Sequence, residues 1–427
     1  MSERADPQTP VKKSEIFGWC CFDFANSAFT TVIITVVYAV YFQKVVAGGA
    51  QWANAAWGLT LSASQIVVIL FSPLVGAIAD VKACKKTFLM LTTVVCSLAT
   101  ASLFFVGEGE VALAIGLVAI ANLAFSFSEN LCGGFLPEIS TPETAGKISG
   151  YGWSFGYFGG LLSLVLALVI VKSGDGRAPW TFLMTGAFFI IAALPTLLLL
   201  RERAIPQPLP AGQSLWSAGW AENLRSLKSL KGNGSLGKFF IALTLFSAGL
   251  MSVVAYASIY ATKVVGMEQT EVIGLFVVLQ LAGVAGAYGF GFLQDKKGPK
   301  PALVSSLLLW IAVCVWGSLC QSKMEFYGIG VLAGIAMGSL QSAGRAVVAT
   351  FTPDGKSGEY FGYWGFFTKL AAVVGPPVFG LVATFSDKKI AGMPGERIAI
   401  LVNAGFFIAG LLVLLPLAID RRRAQPN

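Results

Sequence analysis

Apolar runs long enough to cross a lipid bilayer recur about every 30 to 40 residues along this chain of 427 residues. A spanning helix needs about 20 apolar residues, because each residue rises 1.5 Å through a hydrocarbon core of about 30 Å. Charged residues make up only 12% of the chain, against roughly 25% in soluble domains. The pattern predicts twelve transmembrane helices, at 17–43, 55–78, 87–106, 111–133, 149–171, 180–200, 238–262, 271–293, 301–320, 326–346, 360–385 and 397–419.

The distribution of Lys and Arg predicts the orientation of these helices. Residues 1–16 are polar and lack the features of a signal peptide, so the first run is expected to be the first helix. With residue 1 in the cytoplasm, the inner segments carry 20 basic residues and the outer segments carry 8. This asymmetry satisfies the positive-inside rule. Both the tail at 1–16 and the basic tail at 420–427 are therefore predicted to be cytoplasmic.

Several classes of function are excluded by composition. The chain has no His, which removes Ser-His-Asp triads and His metal sites. Its seven Cys show no CxxC spacing and are expected to be free thiols. The run Gly232 to Lys238 resembles a phosphate-binding loop but continues with Phe239, where Ser or Thr would bind Mg²⁺. We expect no enzyme activity, no cofactor or metal and no nucleic-acid partner, and assign the net charge of +8 to contacts with anionic lipid.

The longest loop, 201–237, divides the chain into two sets of six spans, 17–200 and 238–419. It begins with a Pro-rich stretch that cannot continue a helix. A segment with Leu and Trp on one side and basic residues elsewhere follows at 215–231. We interpret the loop as a cytoplasmic linker that lies on the inner leaflet, with binding of a partner as the alternative.

The two sets of six spans carry matching sequences. Gly76 and Asp80 after span 2 recur as Gly291 and Asp295 after span 8, at an offset of 215 residues. The run 136–138 recurs in related form at 352–354, at an offset of 216. Two coincidences at nearly one offset indicate a duplicated six-helix unit, an architecture typical of secondary transporters.

These residues carry a resemblance to a known family. The run 291–300 resembles the signature loop of the major facilitator superfamily, and the copy at 76–86 is degenerate, with Val81 and Ala83 where a basic residue and a Gly are expected. Within that superfamily the chain resembles the vacuole effluxers, although Ala343 and Gly344 before Arg345 depart from the expected Ser-Arg-Ser triplet. Four stretches carry this second resemblance: Trp19 to Ala28, Phe135 to Glu138, Ile148 to Gly160, and Phe361 to Pro376.

The resemblance implies an all-α major facilitator fold of two pseudo-symmetric six-helix bundles. It also implies that helices 1, 4, 7 and 10 line a substrate cavity. The loops after spans 2 and 8 would serve as conformational latches, in which each Asp contacts basic groups and the positive end of a neighbouring helix. The residues assigned to these latches are Gly76, Asp80, Gly291, Asp295 and Lys296.

Polar side chains at helical spacing agree with this plan independently. Spans 1, 4, 7 and 10 each carry such a stripe, whereas spans 3, 6 and 9 contain no Asp, Glu, Asn, Gln, Lys or Arg. A polar solute crosses hydrocarbon only where such groups replace its water shell. The candidates for substrate binding or coupling are Asp23, Asn26, Ser27, Glu129, Asn130, Tyr256, Gln341, Arg345 and Lys369.

Four of these candidates are ionisable, and each costs at least roughly 2.5–3.5 kcal/mol at a helix centre. Glu129 and Arg345 occupy equivalent positions in the two repeats, so we predict a charge pair that closes the cytoplasmic gate. Lys369 is the best candidate to contact a substrate carboxylate, and any proton coupling would use Asp23 or Glu129. Static pairing remains the alternative for each charged residue, and bonding to a neighbouring helix is the alternative for Asn26 and Ser27.

The sequence therefore predicts a secondary transporter that works as a monomer and moves a small polar solute, with a proton or ion as the possible coupling partner. The family resemblance implies efflux of amino acids or similar zwitterions. A peptide, sugar, nucleoside or drug substrate remains the alternative, and a membrane receptor or enzyme is a more distant one. Short loops favour a bacterial plasma membrane, with the vacuolar membrane as the alternative.

Overall fold

A computed structural model describes residues 9–50, 52–206, 217, 219–220, 234–386 and 394–419. Within these ranges, twelve helices are long and apolar enough to cross a bilayer, and each overlaps one predicted span. A short helix, Leu136–Ile139, lies between the fourth and the fifth. The twelve are α1 (Lys13–Val46), α2 (Ala53–Lys82), α3 (Lys85–Ser102), α4 (Val111–Gly133), α5 (Ala145–Lys172), α6 (Ala178–Leu199), α7 (Gly234–Lys263), α8 (Gln269–Lys297), α9 (Pro299–Leu319), α10 (Lys323–Phe351), α11 (Ser357–Ser386) and α12 (Gly395–Leu414).

Helix α1 changes its winding along its length. It is α-helical over Lys13–Ala28 and widens into π-helical turns at Phe29–Val36 and Phe42–Val46. The first wide turn falls on a run rich in β-branched residues, whose restricted side chains fit a regular α-helix poorly. In that turn the Val37 backbone N–H donates to the Val32 carbonyl, five residues back, at 2.9 Å. The helix is therefore wider just beyond the predicted polar stripe.

The first compact unit comprises the described residues within Met1–Ser140, Phe155–Asn223 and Thr352–Gly365. Its principal helix pairs are α1 with α6, α2 with α4, α3 with α4, and α3 with α6. The Thr196 hydroxyl, for example, joins α6 to α1 by donating to the Gly18 carbonyl at 2.6 Å. The start of α11 belongs to this unit, although the sequence-based division at 201–237 places it in the second bundle.

The second unit comprises the described residues within Thr141–Ser154, Leu224–Phe351 and Phe366–Asn427, and it includes the start of α5. Its principal helix pairs are α7 with α12, α8 with α10, α9 with α10, and α9 with α12. These are the pairs of the first unit with every helix number raised by six. The duplication inferred from two short motifs thus extends to the packing of each unit.

The ends of α2 and α8 show where the two repeats differ. Gly298 follows α8 with φ 96°, a backbone angle that favours Gly. Its counterpart after α2 is Ala83, which takes φ 51° and is the only non-Gly residue with positive φ in the described ranges. A left-handed conformation costs a residue with a Cβ about 1–2 kcal/mol. Both repeats therefore use a positive φ here, but Ala83 takes the left-handed helical conformation with ψ 56°, whereas Gly298 has ψ 166°.

Most of the predicted inter-bundle linker, including nearly all of the amphipathic segment 215–231, lies outside the described residues, as do the tail at 420–427 and residues 1–8. Gly219 is described and lies against Leu74 and Ile78 of α2. Trp220 beside it is exposed. The phosphate-loop-like run 232–238 enters the described part at residue 234, where α7 begins.

Candidate functional site

Asp80 caps the first turn of α11. Its two carboxylate oxygens accept hydrogen bonds from the backbone N–H groups of Gly358 and Glu359, each at 2.9 Å. The first N–H groups of a helix have no partner inside the helix, and the helix dipole favours a negative charge at this end. The side chain is buried, so little water competes for these bonds. This contact has the form that the family resemblance implies for a latch.

Gly76 permits the close approach that this cap requires. A Cβ atom at Gly76 would overlap the carbonyl oxygen of Gly358, and a Cβ at Gly358 would lie 2.7 Å from the Gly76 carbonyl oxygen. Real Cβ atoms essentially never come that close to another heavy atom. The two glycines thus bring the backbones of α2 and α11 together one helical turn from Asp80.

A buried lysine joins this cap to the short helix. The Lys85 ammonium donates hydrogen bonds to Glu138 Oε1 and Ser357 Oγ, and lies 3.5 Å from Asp80 Oδ1. The Lys85 side chain is fully buried and lies 5.4 Å from the centroid of the Phe135 ring. Lys85 lies in the 76–86 copy of the signature loop, but no role of its own was predicted for it. Glu138 ends both the recurring 136–138 run and the Phe135 to Glu138 stretch of the family resemblance, and these two signals could have directed attention to it.

The residues just after α6 complete the same cluster. Glu202 Oε2 accepts a hydrogen bond from the Lys86 backbone N–H at 2.9 Å, and the Arg203 backbone N–H donates to Glu138 Oε2 at 3.3 Å. The Arg203 guanidinium binds both carboxylate oxygens of Glu15 on α1, at 2.5 and 3.1 Å. All three loop contacts are buried or nearly so. The sequence offered no signal that 202–203 would turn inward.

Glu202 has an unusual acidity in this environment. Burial is the largest cause and raises the pKa of its carboxyl from an ordinary 4.5 to about 7, and the carboxylates of Glu138 and Asp80 act in the same direction. The Lys85 ammonium and the hydrogen bond from Lys86 oppose the rise. Glu202 therefore titrates near neutral pH while it occupies this position.

A second, simpler cap repeats the arrangement in the second unit. Both oxygens of Asp295 lie 3.2 Å from the Lys147 backbone nitrogen, in the first turn of α5. A Cβ at Gly291 would lie 2.7 Å from the Gly146 carbonyl oxygen, so this glycine also permits a close backbone approach. Lys296, the other predicted latch residue, lies exposed near the end of α8.

The polar stripe of α1 is partly occupied by local contacts. The Ser27 hydroxyl donates to the Asp23 carbonyl at 2.8 Å, within the same helix. Gly156 of α5 lies against this turn, since a Cβ there would be 3.2 Å from Ser27 Oγ. Asp23, 8% exposed, and Asn26 are buried in the first unit. The hydroxyl of Ser27 thus bonds within its own helix, and both the substrate contact and the bond to a neighbouring helix stay predictions for it.

Two asparagines of α4 bind serines of α2. Asn122 donates to Ser64 Oγ at 2.6 Å, and Asn130 donates to Ser72 Oγ at 2.7 Å, so the same contact occurs twice, eight residues apart. A Cβ at Gly365 would also overlap the Asn130 side chain. The structure places Asn130 in helix packing, while Glu129 beside it is half-buried.

Arg345 of α10 is held by α5 within the second unit. Its Nε donates to Ser149 Oγ at 3.2 Å, and its Nη2 donates to the Ser149 carbonyl at 3.1 Å. The guanidinium carbon lies 5.2 Å from the centroid of the Trp153 ring, within reach of a cation–π interaction. The side chain is only 4% exposed. Arg345 thus has a fixed position, which a ligand-binding or gating group requires.

The remaining candidates of the second unit are Gln341, Tyr256 and Lys369. Gln341 and Lys369 are half-buried. The Tyr256 ring stacks on Phe379 of α11, with centroids 4.6 Å apart. Glu129 and Asp23 belong to the first unit and Arg345 and Lys369 to the second, so the pairings proposed for them stay predictions.

Solved structures share this fold. The human organic anion transporter MFSD10 aligns with a TM-score of 0.73 and 15% identity, over 95% of this chain and 100% of that one. The proton:xylose symporter XylE aligns with a TM-score of 0.74 and 14% identity, over 94% and 95% of the two chains. XylE is a protein of the major facilitator superfamily. The fold predicted from the sequence, an all-α major facilitator fold with twelve spans, is therefore confirmed.

Sequence comparison gives the family. A model described as "Vacuole effluxer Atg22 like" matches residues 45–427, and the chain belongs to this family. The uncharacterised MFS-type transporter YxiO of Bacillus subtilis is 20% identical over 411 residues, 93% of each chain. Autophagy-related protein 22-1 of Aspergillus niger is 25% identical over 295 residues, 64% of this chain but 46% of the fungal protein. The protein is a multi-pass membrane transporter and not an enzyme.

Proposed function

We propose that this protein is a secondary active transporter that exports amino acids or similar small zwitterions by alternating access. The family description supports efflux as the class of activity. The observation that carries the substrate class is the burial of ionisable groups of both signs within spans. Asp23 lies in the first unit and Arg345 in the second. A zwitterion presents one ammonium and one carboxylate, which match these signs.

Buried charges of this kind need a reason, because each costs at least roughly 2.5–3.5 kcal/mol at a helix centre. Arg345 is positioned by Ser149 and Trp153, and Lys369 on α11 remains half-buried. In the proposed mechanism Lys369 contacts the substrate carboxylate, and Asp23 and Glu129 are the carboxylates available for a coupling proton. The Asp80 and Asp295 caps act as latches that form and break once in each transport cycle.

Other substrates are compatible with the fold. The structural relatives named above include a transporter of organic anions and a symporter of xylose. A peptide, sugar, nucleoside or drug therefore remains the alternative. The buried Asp23 and Arg345 favour a charged solute, since a sugar site would be served by neutral polar groups.

Flux into proteoliposomes tests the proposal. Purified protein is reconstituted, loaded with an unlabelled amino acid, and assayed for counterflow of the same labelled compound, with sugars and nucleosides as parallel loads. We expect counterflow with at least one amino acid and none with glucose or uridine. Counterflow with a neutral solute alone would contradict the zwitterion assignment.

Lys369→Ala tests the residue assignment. Loss of a charge-assisted hydrogen bond should weaken binding of the transported acid by about 10- to 150-fold, and binding of its amide much less. If Lys369 is instead a static partner of Asp23, each single variant should lose stability and the double variant should regain it. Equal losses for acid and amide at unchanged stability would leave neither role standing.

The proposed orientation places both termini and the loop 201–237 in the cytoplasm. Cysteine reporters introduced at residues 3, 217 and 425, in a background without native Cys, should react with an impermeant reagent only after the membrane is opened. Labelling of either terminus in intact cells would contradict the orientation.

A further inference from the structure

Glu202 lies beside the cap between Asp80 and the start of α11, called here the first latch. The proposed transport mechanism gives Glu202 no role. It is 1% exposed, yet it lies in the loop after α6 and outside the apolar spans. Its Oε2 accepts the Lys86 backbone N–H, but in the described part of the chain its Oε1 is buried and accepts no hydrogen bond. A buried oxygen left in this state normally costs about 1–3 kcal/mol, more for a charged group.

Two acidic side chains and one basic side chain act electrostatically on Glu202. They are the carboxylates of Asp80 and Glu138 and the ammonium of Lys85. Lys85 is already engaged by Glu138, Asp80 and Ser357. Arg203, next in the chain, is engaged by Glu15 of α1. The other charged groups on the adjoining segments are Lys82 of α2, Lys86 of α3, Arg201 of the loop and Glu359 of α11.

Three carboxylates thus face one buried ammonium. We propose that Glu202 is a proton-binding site of the first latch, and that the proton it takes up stabilises the cap between Asp80 and α11. A proton on Oε1 removes one of the three negative charges and turns an oxygen without a partner into an O–H donor. The proposal rests on the latch role of Asp80. It adds a ligand, the proton, and the residue that binds it, Glu202.

The direction of the effect follows from linkage. In the capped state the pKa of Glu202 is raised to about 7, chiefly by burial. When the start of α11 leaves, Ser357 no longer covers Lys85 and Glu138, water enters, and the pKa falls toward its ordinary 4.5. The capped state therefore binds the proton more tightly and is favoured as the pH falls below about 7. That preference is lost as the pH rises through about 7.

Hydrogen–deuterium exchange of full-length protein in lipid nanodiscs tests this. The peptide covering 352–365 contains the Gly358 and Glu359 amides that donate to Asp80, so its exchange reports opening of the cap. Wild type is compared with Glu202→Gln at the same pH, which cancels the intrinsic pH dependence of exchange. Asp80→Asn gives the rate of the open cap, and Glu108→Gln, an exposed acid in the α3–α4 loop, is the matched control.

We expect the ratio of wild-type to Glu202→Gln exchange in this peptide to rise about tenfold between pH about 5.5 and pH about 8.5. The ratio for Glu108→Gln should stay at one. A Glu202→Gln ratio that does not change with pH, with Asp80→Asn still exchanging fast, would overturn the proton site alone. Asp80→Asn exchanging no faster than wild type would instead overturn the latch itself.

The second latch supplies an internal control that needs no variant at Glu202. Asp295 caps α5 through Lys147 in the second unit, whereas Glu202 belongs to the first unit. Within wild type, exchange at 352–365 should increase with pH relative to exchange at 141–154. Parallel pH profiles for the two segments would contradict the proposal. Sensitivity to replacing sodium with choline, at constant pH, would reassign the site from a proton to a metal cation.

Discussion

Asp80 and Gly358 are joined by a hydrogen bond of 2.9 Å from the backbone N–H to the carboxylate, at the point where α11 begins. Asp295 and Lys147 repeat this relationship at the start of α5, but with one N–H shared between two oxygens, each at 3.2 Å. Asp80 receives a separate donor at each oxygen. The two repeats have kept one geometry with different backbone donors, and we expect the two latches to open at different cost.

Asn substitutions measure this difference. Asp80→Asn and Asp295→Asn both remove the negative charge that faces a helix N-terminus. Asp80→Asn also replaces one of two oxygens that each accept a hydrogen bond from a different N–H group. A hydrogen bond to a charged group contributes about 1.5–3 kcal/mol. We expect Asp80→Asn to increase amide exchange at 352–365 by at least about tenfold, and Asp295→Asn to have a smaller effect at 141–154. Equal effects at both segments would contradict the ranking.

The backbone approach in the second latch can be tested on α8 with a control two residues away. A Cβ at Gly291 would lie 2.7 Å from the Gly146 carbonyl oxygen, whereas a Cβ at Gly289 would meet nothing within 4 Å. Gly291→Ala should push α5 away, break the Asp295 cap and lower the melting temperature. Gly289→Ala should leave it unchanged or raise it, because Ala in a helix is favoured over Gly by about 1 kcal/mol. Thermal unfolding in detergent measures the melting temperature of both variants. Similar decreases in melting temperature would show that the close approach of α5 to Gly291 does not determine stability.

Ala83 and Gly298 offer a matched exchange at equivalent positions. Ala83 takes φ 51°, and Gly298 takes φ 96° with ψ 166°, a region that residues with a Cβ rarely enter. Gly298→Ala should destabilise the protein by about 1–3 kcal/mol. Ala83→Gly should stabilise it by less than about 1 kcal/mol, because relief of strain is offset by greater freedom of the unfolded chain. A decrease in stability on Ala83→Gly would contradict this expectation and would mean that packing of the Ala83 methyl group contributes more than the strain costs.

The twelve spans could be predicted because length and hydropathy alone define them. Each is a predominantly apolar run, and α4 and α8 begin within two residues of their predicted starts. Finer features depended on tertiary partners that leave no local pattern. Helical spacing put Asn130 on a cavity stripe, but spacing cannot show that Ser72 of α2 would lie opposite.

The acidic cluster was missed for a related reason. Lys85, Glu138 and Glu202 lie on three segments far apart in the chain, and each looks like an ordinary charge next to a span. Only the fold brings them together around Asp80. Conversely, the repeat offset identified Asp80 and Asp295 correctly as equivalent positions, because duplication preserves loop position as well as helix order.

Charge-swap variants test the predicted pairing of Glu129 with Arg345. Their design takes into account the contacts of Arg345 with Ser149. Glu129→Gln or Arg345→Gln should each slow transport and favour inward opening. The swap Glu129→Arg with Arg345→Glu should recover only part of the rate, since a glutamate at 345 cannot donate to the Ser149 carbonyl as Arg345 does. The half-exposed pair Glu271 and Lys323, 2.7 Å apart, is the control. Its swap loses the hydrogen bond from the Glu268 N–H to Glu271, but it should leave the rate per folded molecule almost unchanged, because exposed ion pairs contribute only about 0–1 kcal/mol. Initial rates in proteoliposomes, normalised to the amount of folded protein, measure all variants. A Glu129–Arg345 swap no faster than either single variant, beside an active control swap, would show that the two side chains do not pair.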